Sequence, residues 1–362
     1  MNNRNHPRRN LLFILTLLIS LLAVSCGQDA ATEEPQPTRA EEKVLTVMTH
    51  DSFAASEEVI AAFEEEHQAE VQILEAGDTG TAVNKAILSK DNPLADVFYG
   101  IDNTFLSRAL EEDIFVPYRS PLLDEIDDRF ELDDQHRVSP VDYGDVCLNY
   151  QKAYFEQNDL EPPASLEDLT APEYKGLLTV ENPATSSPGL AFLLATIGHF
   201  GEDQYLDYWQ DLVDNDVNVV NDWETAYYSA FSQAGGSYPI VVSYSSSPPF
   251  EVIFAEEDLE EPPTAAVVGD ESCFRQIEFV GILQGTEQQE LAEKWIDFML
   301  SPTFQEDIPL NMFVFPVNEN AELDETFQQY LAIPEDTADV DLQAISKNRE
   351  TWIQEWTNLV LR

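Results

Sequence analysis

The chain has 362 residues, room for two domains of ordinary size, and its 43% hydrophobic and 10% aromatic content excludes a disordered or fibrous protein. Its 69 acidic against 18 basic residues give a formal net charge of -51 at pH 7. Such a surface repels nucleic acid and anionic lipid and attracts cations, whether it reflects a saline habitat or a bias toward solubility.

Residues 1–26 read as an export address. Arg4, Arg8 and Arg9 precede an apolar run from Leu11 to Val24, too short for a comfortable membrane span but of signal-peptide length. The run ends Leu22-Ala23-Val24-Ser25-Cys26-Gly27, which resembles a bacterial lipobox. That resemblance implies lipidation of Cys26 and an anchor in the membrane; an uncleaved anchor helix is the alternative. Residues 27–43, rich in Ala, Thr, Glu and Pro, have no apolar period and are expected to form a flexible tether.

The folded part begins with a strand at Val44–Thr49, followed by His50-Asp51-Ser52-Phe53 and a helix from Glu57 to His67, with Val59, Ile60 and Phe63 facing inward. A strand at Val71–Leu74 leads to the turn Gly77-Asp78-Thr79-Gly80 and a second helix; Ala95–Tyr99 is a third strand. This alternation predicts a parallel sheet covered by helices. After an acidic stretch, Val138–Tyr150 reads as a long bent strand able to cross between two domains. Leu177–Val180 is a strand, and Ser187 with Pro188 reads as the N-cap and first position of a helix running to His199. Its positive end would face whatever Ser186 and Ser187 touch. A helix at 202–213, a strand at Val217–Val220 and a helix capped by Asp222 and beginning at Trp223 follow. Phe274–Leu283 reads as a strand returning to the first domain. Thr286 with Gln289 reads as a capping box for a helix through Trp295, and the chain closes with a helix whose apolar face carries Ile345, Trp352 and Trp356.

The stretch Ile240–Phe250, IVVSYSSSPPF, organises the rest. An apolar strand ends in an aromatic ring, three hydroxyls and two prolines that cannot continue a ladder, so its carboxyl end is expected to open into a loop. In open α/β sheets ligands sit at such ends, although an ordinary Ser/Pro-rich surface loop has the same composition. Enzyme motifs are absent: no Walker loop, GxGxxG, GxSxG elbow or HExxH is present. No cofactor is expected. Cys147 and Cys273 fall in predicted strands, and the sequence leaves open whether they pair.

The residues LTVMTHDSF (45–53), GDTGTAVNK (77–85), ADVFYGIDN (95–103), DYGDVCLNY (142–150), NPATSSPGL (182–190), DWETAYYSAF (222–231) and VVSYSSSPPF (241–250) together resemble the thiamine-binding solute-binding proteins of ABC importers. The resemblance spans nearly all of the chain after its signal. It implies an α/β, two-lobe type II periplasmic-binding-protein fold with crossing hinge strands and a ligand cleft between the lobes. One lobe is expected at 44–142 plus about 270–310, the other at 143–269 plus about 311–362. It also implies a ligand set of His50, Asp51, Asp78, Thr79, Ser186, Ser187, Trp223, Tyr244, Ser245, Ser246, Ser247, Pro248 and Phe250. Trp223 and Tyr244 would sandwich a planar ring, and Asp78 would neutralise a cation. The implied ligand is thiamine or a thiamine phosphate, and the implied partners are a permease and its ATPase, with the binding protein a monomer. The rival within the superfamily is a ferric-ion binder, for which Tyr227, Tyr228 and His50 are the candidate ligands; a binder of another small cationic or organic solute is the further alternative.

Overall fold

A computed structural model of the chain describes residues 43–255, 259–269 and 271–362. The expected signal peptide, Cys26 and the tether up to residue 42 lie outside the described residues. Lys43, placed by the sequence at the tether's end, is already the first residue of a strand.

Among the described residues eleven strands form one sheet. In chain order they are β1 (Lys43–Thr49), β2 (Ala69–Glu75), β3 (Val97–Asp102), β4 (Phe115–Val116), β5 (Ser139–Gln151), β6 (Leu178–Glu181), β7 (Asn218–Val220), β8 (Ile240–Tyr244), β9 (Thr264–Val267), β10 (Phe274–Leu283) and β11 (Phe315–Pro316). The main path runs β2-β1-β3-β10-β5-β8-β6-β7, with β4 on β10 and both β9 and β11 on β5. At one end β1 pairs in parallel with β2 and β3, and the crossovers are helices Glu57–His67 and Thr79–Leu88. At the other end β6 pairs in parallel with β7 and β8. This is the α/β pattern that the alternating elements predict.

Two cores flank the middle of the sheet. Leu45, Val47, Phe63, Phe98 and Trp295 belong to the first. Phe192, Trp209, Ile240, Trp352 and Trp356 belong to the second. The antiparallel pair β5 and β10 runs from one to the other: Val141, Ile277 and Val280 pack in the first core, and Val146, Leu148 and Phe274 in the second. Residues 311–362 contribute to both cores. Val314 and Val317 pack in the first core, because β11 docks on β5 opposite Tyr143 and Asp142, whereas Ile345 and Trp356 pack in the second.

Cys147 on β5 is bonded to Cys273, immediately before β10, so the disulfide ties the crossing segments over a separation of 126 residues. Arg275 of β10 makes a two-pronged ion pair with the fully buried Asp145 of β5, at 2.8 and 2.9 Å. Three local expectations shift. The cap of helix Ser187–Phe200 is Ser186, whose Oγ accepts from the Gly189 N–H, so Ser187 is the first helical residue. Ser247, Pro248 and Pro249 open a helix, Ser247–Ile253, instead of a loop: proline's fixed φ suits the first helical turn, where no N–H donation is needed. Thr286 accepts from the Gln288 N–H, one residue ahead of the helix Gln289–Leu300, so no reciprocal capping box forms.

Candidate functional site

The segments after β1, β2, β6 and β7, the carboxyl end of β8 and the middle of β10 line a cleft of about 480 Å³ between the two cores. The wall on the side of the first core comes from the segments after β1 and β2. Gly100 has φ +91, and a Cβ there would lie 2.1 Å from the His50 ring, so only glycine lets the imidazole lie across β3. The Ser52 N–H donates to His50 Nδ1 at 3.2 Å, which places the ring proton on Nε2, 3.3 Å from Glu278 Oε1. Burial pulls the His50 imidazole down, but the Glu278 carboxylate outweighs it and holds the ring above its ordinary value. Phe53 meets Tyr99 edge-on at 5.2 Å and lines the cleft beside it.

Asp78 caps helix Thr79–Leu88, accepting from the Gly80 N–H at 3.2 Å. Its carboxyl is raised from 3.8 to about 6, chiefly by burial and further by Asp102 and Asp51, against the opposing pull of that hydrogen bond. No ion pair holds it among the described residues. Thr79 Oγ1 is spent on the Gly100 carbonyl at 3.2 Å.

The opposite wall carries Ser186, Ser187, Trp223, Tyr228 and Tyr244. Asp222 caps the short turn Trp223–Thr225, accepting from the Thr225 N–H at 2.7 Å, and a π-turn at Ala226–Ala230 follows. The Trp223 indole stacks on Tyr227 at 5.2 Å and donates from Nε1 to Ser243 Oγ at 3.0 Å. Trp223 and Tyr244 meet at 6.3 Å and 65°, so they form a corner and not the parallel sandwich expected from sequence. Tyr244 is partly buried and lies over Gly144, where a Cβ would come within 2.7 Å of its ring.

The crossing strands supply the floor. Tyr99 donates to Asp142 Oδ2 at 2.6 Å. Burial and the neighbouring Glu278 push Asp142 well above the usual carboxylate range. Glu278 is buried too, yet His50 outweighs that and keeps it ionised. Gln276 is 4% exposed and lines the cleft, and its Oε1 has no hydrogen-bond partner. Asp102 lies at the start of helix Ser187–Phe200, accepting from the Ser187 hydroxyl and from the Thr104 N–H at 2.7 Å.

Of the residues singled out from sequence, His50, Asp51, Asp78, Thr79, Ser186, Ser187, Trp223 and Tyr244 line this cleft. Ser245, Ser246, Ser247, Pro248 and Phe250 do not. They are buried behind it: Ser246 donates to the Phe313 carbonyl, Ser247 Oγ meets Ser243 Oγ at 2.9 Å, and Phe250 packs on Phe313 at 4.2 Å. The tyrosine pair diverges. Tyr228 is 52% exposed at the cleft, whereas Tyr227 is buried and donates to Glu251 at 2.5 Å, away from it. Among the described residues no three His, Cys, Asp or Glu side chains are grouped to hold a metal. Sequence reasoning missed Phe53, Gln276, Glu278 and Phe313. Phe313, with φ +62, carried a local signal only in structure, as a non-glycine residue in the left-handed region at the cleft's edge.

Comparison with known proteins agrees with this geometry. A model of the bacterial extracellular solute-binding proteins matches residues 92–336. The thiamine-binding periplasmic protein of Salmonella typhimurium is 32% identical over 88% of this chain and 94% of its own. That of Escherichia coli is 31% identical over 88% and 94%. A solved periplasmic thiamin binding protein superposes with a TM-score of 0.77 at 29% identity, covering 89% of this chain and 97% of that one. A ferric binding protein from Campylobacter jejuni shares the fold alone, with a TM-score of 0.71 at 18% identity over 87% and 99%.

Proposed function

This chain belongs to the bacterial extracellular solute-binding proteins, and within that family we propose that it is the thiamine-binding component of an ABC importer. The observation that carries the reading is the meeting, in one cleft, of an Asp78 carboxyl without an ion-pair partner and the aromatic rings of Trp223, Tyr228 and Tyr244. Thiamine has a fixed positive charge on its thiazolium and a flat aminopyrimidine. A buried carboxylate and aromatic faces are the groups that hold a flat cation, each cation–aromatic contact contributing roughly 0.5–2 kcal/mol. The similarity to proteins described as thiamine-binding supports the same ligand. The iron reading has less support: of its two adjacent tyrosines only Tyr228 lines the cleft, Tyr227 donating to Glu251 away from it, and His50 is committed to Glu278.

The rest of the proposed role takes its support from the family and the sequence. The protein is exported and, through Cys26, tethered by lipid to the outer face of the membrane. As a monomer it closes its two halves over the ligand by flexing β5 and β10, and the closed form is what the permease and its ATPase receive. The ligand is carried unaltered, so no catalytic residue is assigned. Tryptophan fluorescence tests the site. Thiamine should quench the emission with a single saturable phase, and Trp223→Ala should remove most of the quench while weakening binding about 3- to 30-fold. Quenching by ferric citrate but not by thiamine would replace this reading with the iron one.

A further inference from the structure

Resting on the thiamine reading, we infer that Phe105 and Arg349 are positioning residues for Asp78, the C-terminal helix holding an aromatic wedge against the turn that presents this carboxyl to the ligand. Neither side chain lines the cleft. Phe105 caps the helix Leu106–Glu111 just after β3 and packs against both cores. Its N–H donates to Asp102 Oδ1 at 3.2 Å, and the other oxygen of that carboxyl accepts from the Ser187 hydroxyl in the opposite wall. The far edge of the ring abuts Gly80, in the first turn of helix Thr79–Leu88. A Cβ at Gly80 would lie 3.0 Å from Phe105 Cζ and 3.9 Å from Asp78 Oδ1, so ring edge and carboxyl flank the same point. The Gly80 N–H is also the donor that holds Asp78 Oδ1, at 3.2 Å.

What holds the ring comes from the other core. Helix Leu342–Val360 is anchored in the second core by Ile345, Trp352 and Trp356. From it the buried Arg349 reaches across, its guanidinium 4.3 Å from the centroid of the Phe105 ring and its Nη1 donating to the Thr104 carbonyl at 3.5 Å. Its carboxylate partner, Glu350 at 2.7 Å, is an exposed neighbour on the same helix. A solvent-facing pair of that kind contributes little, whereas a desolvated guanidinium over a ring face contributes roughly 0.5–2 kcal/mol. Ser346, one turn earlier, donates to Glu111 Oε1 at 3.0 Å and fastens the same two helices.

Arg349 acts on Asp78 through the ring. Burial is the largest influence on the Asp78 carboxyl; the charged groups that bear on it are Asp51 and His50 from the segment after β1 and Asp102 from the end of β3. Drawing the ring back therefore admits water to the carboxyl and loosens its turn. The first change lowers its proton affinity toward the ordinary value of 3.8, and the second weakens its hold on a cation. Loss of packing alone would lower stability without moving that titration.

Thiamine titrations of the purified full chain from about pH 4 to 8, followed by tryptophan fluorescence, test the inference. Wild-type affinity should rise with pH through a midpoint at about 6. Phe105→Ala and Arg349→Met should weaken binding about 3- to 10-fold at neutral pH and lower that midpoint by about one unit. Arg349→Lys, which returns a cation to the ring, should recover about half or more of the midpoint shift. Weaker binding with an unmoved midpoint would reduce the wedge to plain packing and overturn the inference, as would wild-type affinity and midpoint in Arg349→Met. Should Phe105→Ala not fold, Arg349→Met decides. Should the wild-type chain give no thiamine response, the reading on which this rests falls, and the wedge is read without ligand. The gain in urea stability from Asp78→Asn between about pH 4 and 7 should then shrink by about half or more in the Arg349→Met background, and an unchanged gain overturns it.

Discussion

Replacing Asp78 by Asn separates what the cleft needs for its ligand from what the fold needs for itself. The carboxyl rises from 3.8 to about 6 because folding buries it without a cationic partner. A carboxylate whose folded value is raised binds protons more tightly in the native state, so stability falls as pH climbs from about 4 through 6. A rise of about two units corresponds to roughly 3 kcal/mol at full expression; the side chain's partial exposure reduces that to about 1–2 kcal/mol. Asn caps helices as well as Asp, so the hydrogen bond from the Gly80 N–H survives the change. Asp78→Asn should therefore match the wild type near pH 4 and exceed it by about 1–2 kcal/mol at pH 7 in urea denaturation. His50 acts in the same sense, at higher pH. Its raised value contributes stability below the unfolded value of about 6.5 that is lost as pH rises through the folded one, and it does so in both proteins. The difference between the two curves thus isolates Asp78. The same substitution should weaken thiamine binding by at least about tenfold. In the wild type near pH 6, binding should release a fraction of a proton, seen as a calorimetric enthalpy that varies with buffer ionisation. Superimposable stability curves between pH 4 and 7, or undiminished thiamine affinity in Asp78→Asn, would refute the reasoning.

Other outcomes follow from single contacts. Gly144→Ala places a methyl 2.7 Å from the Tyr244 ring, so it should displace that ring, costing about 1–3 kcal/mol in stability and weakening ligand binding measured by fluorescence. Paired Cys147→Ser and Cys273→Ser changes release a 126-residue closure; the denaturation free energy should drop by about 2–5 kcal/mol, and reductant should produce the same drop in the wild type. Burial and Glu278 hold the Asp142 carboxyl well above the usual carboxylate range, so Asp142→Asn should stay within about 1 kcal/mol of the wild type, whereas Asp142→Ala, which leaves the Tyr99 hydroxyl only its longer 3.3 Å bond to Glu278, should lose about 1–3 kcal/mol.

Much of this architecture is legible in local sequence because its causes are local. The strand before His50, the Asp78 turn opening a helix and the Asp222 cap ahead of Trp223 each rest on periodicity or on a residue's own hydrogen bonding. Ser186 and Ser187 were readable for the same reason, to within one residue. The stretch Ser245–Pro249 was misread because two prolines signal both a strand's end and a helix's first turn, and only the packing of Phe250 against Phe313 and Phe327 decides between them. Gln276 and Glu278 sit inside an apolar-looking strand, and their place at the cleft depends on the register of β10 against β5, which nothing near them in sequence encodes. Phe313 reaches the site from a segment far along the chain for the same reason.

The most direct test of the account is a crystal structure of the protein grown with thiamine. The account predicts the ligand between the two cores, its thiazolium near Asp78 and a ring against Trp223, with the cleft narrowed by bending at β5 and β10. Thiamine bound elsewhere, or an empty cleft at saturating ligand, would contradict it.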